Sequence, residues 1–184
     1  MPVQKISKEE LLLKSITVFR QKGYYRTNMS DLAQYCGLTK GAFYHHFKSK
    51  EEVMLKSLEM TSLWFKKHIF SIADNPDIPE DKKLETLLER YFKTFTHKKG
   101  GCFFANTVLE TAQVEETFKA TLIDFFQSFE EALQKIFLAK YSEAEAKEKS
   151  VKVITDLEGS IMLMQLHDKV SYLQDAVERS VSLY

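Results

Sequence analysis

The chain has 184 residues, of which 44% are hydrophobic and 28% are charged, and its formal net charge at pH 7 is zero. Glycine and proline are scarce, at six and three residues, so the composition favours an all-α protein with a packed core over a disordered or fibrous chain. Cys36 and Cys102 are too few for a disulfide framework, and the N-terminus lacks the apolar segment of a signal peptide. We therefore expect a cytoplasmic protein without a membrane span.

The charge is unevenly distributed along the chain. Residues 1–56 contain 10 basic and 5 acidic side chains, whereas residues 57–184 contain 16 and 21. A basic N-terminal part followed by an acidic remainder is typical of a nucleic-acid-binding domain attached to a second domain.

A first helix is predicted from Ser7, with Glu10 as its capping-box partner, to Gly23. Its apolar residues keep helical spacing and are expected to share one small core with the next two helices. The predicted members of that core are Leu12, Ile16, Phe19, Leu32, Ala33, Leu38, Phe43 and Phe47.

The segment from Asn28 to Phe47 has the pattern of two short helices joined by a tight turn. Asn28 with Asp31 begins the first of them, Gly37 ends it, and Thr39 caps the second. A helix of seven or eight residues, a glycine-containing turn and another short helix form a helix-turn-helix, whose second helix enters the DNA major groove.

The residues expected to contact DNA lie in and beside this second helix. They are Thr27, Asn28, Thr39, Lys40, Gly41, Ala42, Tyr44, His45, His46, Lys48 and Lys50. Lysine, tyrosine and histidine side chains donate to phosphate oxygens, as do the free N–H groups at a helix start. Gly41 and Ala42 are small enough to approach base edges, with His45 beside them. The alternative is a surface helical hairpin whose lysines and histidines are only solvated.

The segment LTKGAFYHHFKSKEEVM, with DLAQYCG before it, resembles the DNA-binding signature of the TetR (tetracycline-repressor) family of bacterial transcriptional regulators. The matching residues are Gly37, Leu38, Thr39, Lys40, Gly41, Ala42, Phe43, Tyr44, His46, Phe47, Ser49, Lys50 and Glu51. His46 stands where tyrosine is common in the family. The resemblance implies an all-α fold, with a three-helix helix-turn-helix DNA-binding domain at residues 1–48. A larger helical bundle for ligand binding and dimerisation would follow at residues 49–184.

Six further helices are predicted after the helix-turn-helix. The first runs from a capping box at Ser49 and Glu52 to about Ile72, and a turn with two prolines follows at 74–81. The others span about 80–97, 102–113, 115–141, 142–167 and 169–184, each with an apolar stripe. Ser142 with Glu145 is expected to begin the helix at 142–167. Lys98 and Lys99, followed by two glycines, are expected to end the helix at 80–97.

The last two predicted helices are apolar over more of their circumference than one core face requires. We expect them to pair with a second copy of the chain in a four-helix bundle, which the resemblance also implies. The expected dimerisation residues are Val151, Ile154, Gly159, Ile161, Leu173, Val177 and Val181. The alternative is an antiparallel pair of helices buried within one chain.

Aromatic residues make up 12% of the chain, and many of its 14 phenylalanines lie between residues 65 and 137. Candidate ligand-binding residues are Trp64, Phe65, His68, Phe92, Phe95, Phe103, Phe104, Asn106, Phe125 and Phe129, with His68 and Asn106 as the polar contacts. The alternative is that these residues simply fill a core. The resemblance implies a small-molecule pocket in this part of the chain, and its aromatic content favours a hydrophobic effector. Glu158, or Asn106 with Glu110, is either a further polar contact or a structural group.

Patterns of catalysis or metal binding do not occur in the sequence. The five histidines stand at 45, 46, 68, 97 and 167, and there is no H-E-x-x-H, phosphate-binding loop, dinucleotide-binding loop or nucleophile elbow. We therefore expect neither an enzyme nor a metal or cofactor.

The function predicted from these features is that of a homodimeric transcriptional repressor. It binds a palindromic DNA operator and is released by a small, hydrophobic effector. Two alternatives stay open at this point. One is a DNA-binding regulator without a small-molecule effector. The other is a helical ligand-binding or enzymatic protein that lacks DNA function.

Overall fold

The computed structural model describes residues 6–96, 100–114 and 116–184. Nine α-helices and two short 3₁₀ turns, and no strands, are present in these ranges. The helices are α1 (Lys8–Lys22), α2 (Met29–Cys36), α3 (Lys40–Tyr44), α4 (Lys50–His68), α5 (Glu80–Thr96), α6 (Phe103–Thr111), α7 (Lys119–Phe137), α8 (Glu143–His167) and α9 (Ser171–Val181). The all-α fold predicted from the sequence is therefore confirmed.

Packing divides the chain into two compact units. The first comprises the chain up to Thr61 together with Phe103–Leu122, and the second comprises Ser62–Cys102 together with Ile123–Tyr184. The first unit thus includes α6, which packs against α1. This division of the packing differs from the expected functional boundary after residue 48, which stays a prediction.

The predicted fourth helix was expected to reach Ile72, and this was wrong. The α-helix ends at His68, since Ile69 leaves the helical conformation with φ −122° and ψ −58°, and a 3₁₀ turn follows at Phe70–Asp74. Phe70 and Ile72 are both buried. In a continuous α-helix, side chains two residues apart point in nearly opposite directions, so the tighter turn allows both to enter the core.

Two other predicted helices are shorter than expected, whereas α3, with five residues, is a short helix as predicted. α9 ends at Val181 rather than at the last residue. α7 begins after a 3₁₀ turn at Glu116–Phe118 and ends at Phe137, where the buried apolar stripe ends and exposed residues follow. The predicted end of the helix at 97, the terminating Lys98 and Lys99, and the predicted start at 115 lie outside the described residues.

Helix-capping predictions were right in part. Complete capping boxes occur at Asn28 with Asp31 and at Ser142 with Glu145. Ser7 and Ser49 cap their helices through the hydroxyl group, but the glutamates expected to complete those two boxes bond elsewhere. Glu10 pairs with Lys14, and Glu52 accepts from the Lys48 N–H at 2.7 Å.

The core of the first unit contains most of the residues predicted for it. Leu12, Phe19, Leu32, Ala33, Phe43 and Phe47 are buried, whereas Ile16 and Leu38 are half-buried. Val18 and Tyr24 are buried in addition.

The core of the second unit is aromatic. The rings of Phe70 and Phe129 stack at 4.9 Å, and Phe129 also stacks on Tyr91 at 5.1 Å. Phe65 meets Phe125 edge to face at 5.3 Å. Around this core α8 packs against α9, and α9 packs against α5.

Candidate nucleic-acid interface

A cleft of about 420 Å³ lies beside the helix-turn-helix. Its lining residues come from the start of α2, from α3 and from the start of α4: Thr27, Asn28, Met29, Ser30, Lys40, Tyr44 and Lys50. Five of the residues predicted to contact DNA are therefore brought together, and they include two lysines and a tyrosine. Such side chains donate hydrogen bonds to phosphate oxygens.

The start of α2, on one side of the cleft, is fixed by its capping box. Asn28 Oδ1 accepts from the N–H groups of Ser30 at 2.9 Å and Asp31 at 3.0 Å. The Asp31 carboxylate accepts from the Asn28 N–H at 3.0 Å and from the Lys22 ammonium at 2.8 Å. The hydrogen bond from Lys22, and then that from the Asn28 backbone, hold the pKa of Asp31 below its ordinary value. The cap therefore remains ionised and intact at neutral pH.

Lys50, at the start of α4, has a structural role as well as its place in the cleft. Its Nζ donates to the Tyr24 carbonyl oxygen at 2.9 Å and lies 4.1 Å from the centre of the Tyr24 ring. Because a lysine ammonium has three N–H donors, these contacts leave donors for a bound anion. Tyr24 thus orients the Lys50 side chain that lines the cleft.

The remaining candidates for DNA contact differ in their exposure and in their hydrogen-bond partners. Lys40, Tyr44, His45 and Lys48 are exposed, and no atom lies within 4 Å of the position of a Cβ on Gly41. By contrast, the hydroxyl groups of Thr27 and Thr39 bond to the backbone. Thr27 is buried and donates to the Gly23 carbonyl at 2.6 Å, and Thr39 accepts from the Ala42 N–H at 3.2 Å. The Thr27 hydroxyl therefore has no free donor, whereas Thr39 is exposed and keeps its O–H for another acceptor.

Two further candidates are partly covered, since Ala42 and His46 are half-buried. The start of α3 should add little to the attraction of phosphate groups, because a helix of only five residues has a small macrodipole. The positive charge of this surface therefore comes from its lysine side chains.

Glu110 and Tyr24 support the interface and were not predicted to do so. Glu110, on α6, accepts from the N–H groups of Tyr24 at 2.8 Å and Tyr25 at 3.3 Å, in the turn between α1 and α2. The Tyr24 ring also meets Phe118 edge to face at 5.0 Å. These partners lie more than 80 residues apart in the sequence, and short-range pattern analysis has no signal for such contacts.

The candidate ligand-binding residues are distributed over both units. Phe103, Phe104 and Asn106 belong to the first unit, and the others belong to the second. Phe65, Phe95, Phe125 and Phe129 are buried in the aromatic core, whereas Trp64 and His68 are exposed and Phe92 is half-buried. Trp64 and His68 therefore do not lie in the core of their unit, as a buried pocket would require.

Two of the candidate dimerisation residues are covered by their own chain. Ile161 and Leu173 are buried within the second unit, so neither offers its side chain to a partner. Val151 is exposed, and Ile154, Gly159, Val177 and Val181 are half-buried. Met162 and Leu166 are also exposed and follow Val151 along one face of α8. Helical periodicity identified the apolar residues but not the face that the chain itself covers.

The described residues include neither a candidate membrane span nor a candidate metal site. None of the described helices combines the length and the apolar character needed to cross a membrane. Among the same residues, no group of three or more histidine, cysteine, aspartate or glutamate side chains is arranged to hold a metal ion.

Family models match both parts of the chain. Residues 11–56 match the bacterial regulatory proteins of the tetR family, which covers the whole helix-turn-helix and the start of α4. Residues 82–179 match the C-terminal domain of LmrA/YxaF-like transcriptional regulators, and this match alone covers more than half of the chain.

Individual proteins show the same similarity. YerO of Bacillus subtilis, an uncharacterized HTH-type transcriptional regulator, is 46% identical over 52 residues, which are 28% of this chain and 18% of YerO. The HTH-type transcriptional repressor DhaR of Mycobacterium sp. is 23% identical over 131 residues, covering 71% of this chain and 65% of DhaR. The chain thus matches less than two thirds of the length of either relative.

A crystal structure of a TetR transcriptional regulator from Legionella pneumophila has the same fold. It superposes with a TM-score of 0.86 at 15% sequence identity, and the match covers 98% of this chain and 97% of that chain. The helix-turn-helix, the all-helical architecture and both family matches agree, and the chain belongs to the TetR family of DNA-binding transcriptional regulators.

Proposed function

We propose that this regulator is a repressor that binds a palindromic operator as a homodimer and leaves it when a small effector binds the larger domain. The cleft lined by Lys40, Tyr44 and Lys50 carries the DNA part of the proposal, because it gathers phosphate donors beside a helix-turn-helix. The repressor named DhaR among its relatives supports repression rather than activation. In this proposed role the protein acts in the cytoplasm and has no catalytic activity.

The residues around the cleft have different proposed roles in DNA binding. Lys40, Tyr44, Lys48 and Lys50 bind phosphates and set the position of the protein on the duplex. Gly41, Ala42 and His45 face the base edges. Open space around Gly41 supports this assignment, because the backbone of α3 can then approach the groove closely.

Replacing Lys40 by glutamine is expected to weaken binding to all DNA sequences and to lower its salt dependence. Lys40 is exposed and pairs with no carboxylate in the described chain, so its charge is available to a phosphate. Losing one phosphate contact lowers the slope of log affinity against log salt by about 1. Fluorescence anisotropy between about 50 and 200 mM salt would measure this slope.

The control for Lys40→Gln is Lys93→Gln, which removes an exposed charge from α5 in the second unit. It is expected to bind like the wild type. Equal slopes for the wild type and Lys40→Gln would remove Lys40 from the phosphate contacts.

The exposed apolar face of α8 is the proposed centre of the dimer interface. Val151 is 43% exposed, Met162 60% and Leu166 72%, and their spacing of 11 and 4 residues places them on one side of the helix. An isologous pairing of this face would bury it and present two recognition helices to two half-sites about 34 Å apart.

Replacing Leu166 by aspartate is expected to weaken the dimer at least about tenfold, because each copy would bury a carboxylate at the interface. Sedimentation velocity at micromolar concentration would detect the monomer. The control is Leu109→Asp on α6, where the leucine is 83% exposed. A Leu166→Asp protein that dimerises like the wild type would place the interface elsewhere.

The proposed release mechanism is a shift between two populations. Residues of α4 belong to both units, with the division after Thr61. A ligand that prefers one arrangement of the larger domain would move this helix and change the separation of the two recognition helices. Half-sites have a fixed spacing, so a few ångströms of change would prevent simultaneous docking. A regulator without a small-molecule effector would show no such change with any ligand.

A further inference from the structure

A buried carboxylate in the second unit has an oxygen without a partner. Glu158, on α8, accepts at Oε1 from the hydroxyl group of Tyr91 on α5, at 2.9 Å. The thiol of Cys102 is a second hydrogen-bonding neighbour of the same carboxyl group. Although the residue keeps some accessible surface, Oε2 is buried and accepts no hydrogen bond from any described residue.

No basic side chain of the described chain compensates this carboxylate. Burial is the largest influence and raises the pKa of Glu158 above its ordinary value, although the hydrogen bonds from Cys102 and Tyr91 lower it in part. No lysine, arginine or histidine side chain contributes to the pKa of Glu158, and Glu158 forms no ion pair with the described residues. Buried carboxylates are normally paired, because leaving a charge without a partner in the interior is costly.

Aromatic rings surround the partner of this carboxylate. The Tyr91 ring is fully buried, stacks on Phe129 at 5.1 Å, and lies 4.8 Å from Phe95 and 6.2 Å from Phe65. The faces of aromatic rings attract cations through their quadrupole. A carboxylate acceptor next to such rings is the combination that recognises an organic ammonium ion.

We propose that Glu158 and Tyr91, with the adjoining phenylalanines, recognise a lipophilic organic cation whose N–H group donates to Glu158 Oε2. This inference rests on the proposed function, in which the larger domain takes an effector, and it names the chemical class of that effector. The cation supplies the counter-charge that the described chain lacks, and its apolar part takes its place among the rings. Entry of the ligand would separate rings that now pack together, which couples binding to movement of their helices.

A matched pair of ligands tests the proposal on the full-length protein. The probes are 4-phenylbutylammonium and the neutral 4-phenylbutan-1-ol, which share the aromatic ring and the chain length and differ in charge. Isothermal titration calorimetry at pH 7 is expected to show the ammonium binding at least about tenfold more tightly than the alcohol, as for a hydrogen bond to a charged group. This comparison needs only the wild-type protein.

The variant Glu158→Gln then tests whether Glu158 causes the preference for the ammonium over the alcohol. The amide keeps the shape of the side chain and an acceptor for Tyr91, so the variant is expected to fold, which a thermal melt by circular dichroism checks. It should lose about tenfold or more in affinity for the ammonium and keep its affinity for the alcohol. Glu148→Gln, at an exposed position of the same helix, is the control and should behave like the wild type.

The proposal is overturned if the ammonium binds no more tightly than the alcohol, if neither probe binds, or if Glu158→Gln retains the ammonium preference. Anisotropy with operator DNA separates this result from the proposed function. If the protein binds DNA but does not prefer the ammonium to the alcohol, only the inference about the effector class is refuted. If the ammonium binds through Glu158 but leaves the affinity for DNA unchanged, the release mechanism is refuted and the cation site stands.

Discussion

Phe129→Ala is expected to lower the free energy of unfolding by about 3–5 kcal/mol. The Phe129 ring is fully buried and stacks on Phe70 at 4.9 Å and on Tyr91 at 5.1 Å. Alanine would leave a cavity among flat rings that cannot collapse around a methyl group, so the loss of packing adds to the loss of apolar burial. Urea unfolding followed by circular dichroism would measure the change at constant protein concentration, since a dimer's stability depends on concentration.

Ile123→Ala is the control for Phe129→Ala. Ile123 lies on the same helix but is 47% exposed, so its replacement should change stability by no more than about 0.5 kcal/mol. Similar values for the two variants would mean that the aromatic core is not the main source of stability in the second unit.

Gly23→Ala is expected to cost about 3 kcal/mol of stability and to weaken DNA binding, for two reasons. Gly23 ends α1 with φ 78° and ψ 171°, a conformation that is essentially restricted to glycine. A Cβ at this position would lie 2.5 Å from Glu110 Oε1. The carboxylate would have to move and would lose the N–H groups of Tyr24 and Tyr25, and the Tyr24 carbonyl that holds Lys50 would shift with them.

The same substitution at Gly41 is the matched control. An added Cβ there meets no atom within 4 Å, so Gly41→Ala should keep the stability of the wild type. Its DNA affinity should fall if α3 approaches the groove as closely as proposed. Thermal melts and anisotropy on both variants would separate the two effects, and a Gly23→Ala protein of wild-type stability would contradict the role given to the turn.

The features that the sequence predicted best are those decided within a few residues. Asn28 with Asp31 and Ser142 with Glu145 act over three positions, and both capping boxes are present. The helix-turn-helix was predicted for the same reason, because Gly37 and Thr39 set its turn locally. The sequence pattern cannot choose between two neighbouring partners. The Glu52 carboxylate was expected to bond to Ser49, and it accepts from the Lys48 N–H instead.

The features that escaped prediction depend on contacts distant in the sequence. The Glu110 carboxylate reaches a turn 85 residues earlier, and no spacing rule connects the two. Ile161 and Leu173 have the apolar character of an interface, but the packing of α8 against α9 buries them in one chain. Trp64 follows the aromatic pattern of its helix and is nevertheless 45% exposed. Periodicity identifies an apolar face, and only the tertiary fold decides what covers it.

Selection of bound sequences from a random pool of duplex DNA, using the purified protein at moderate salt, reports DNA recognition and the dimer together. A homodimeric regulator should select a palindromic site whose half-sites lie about one helical turn apart or a multiple of it. A folded protein without affinity for any duplex, even at low salt, would contradict this prediction.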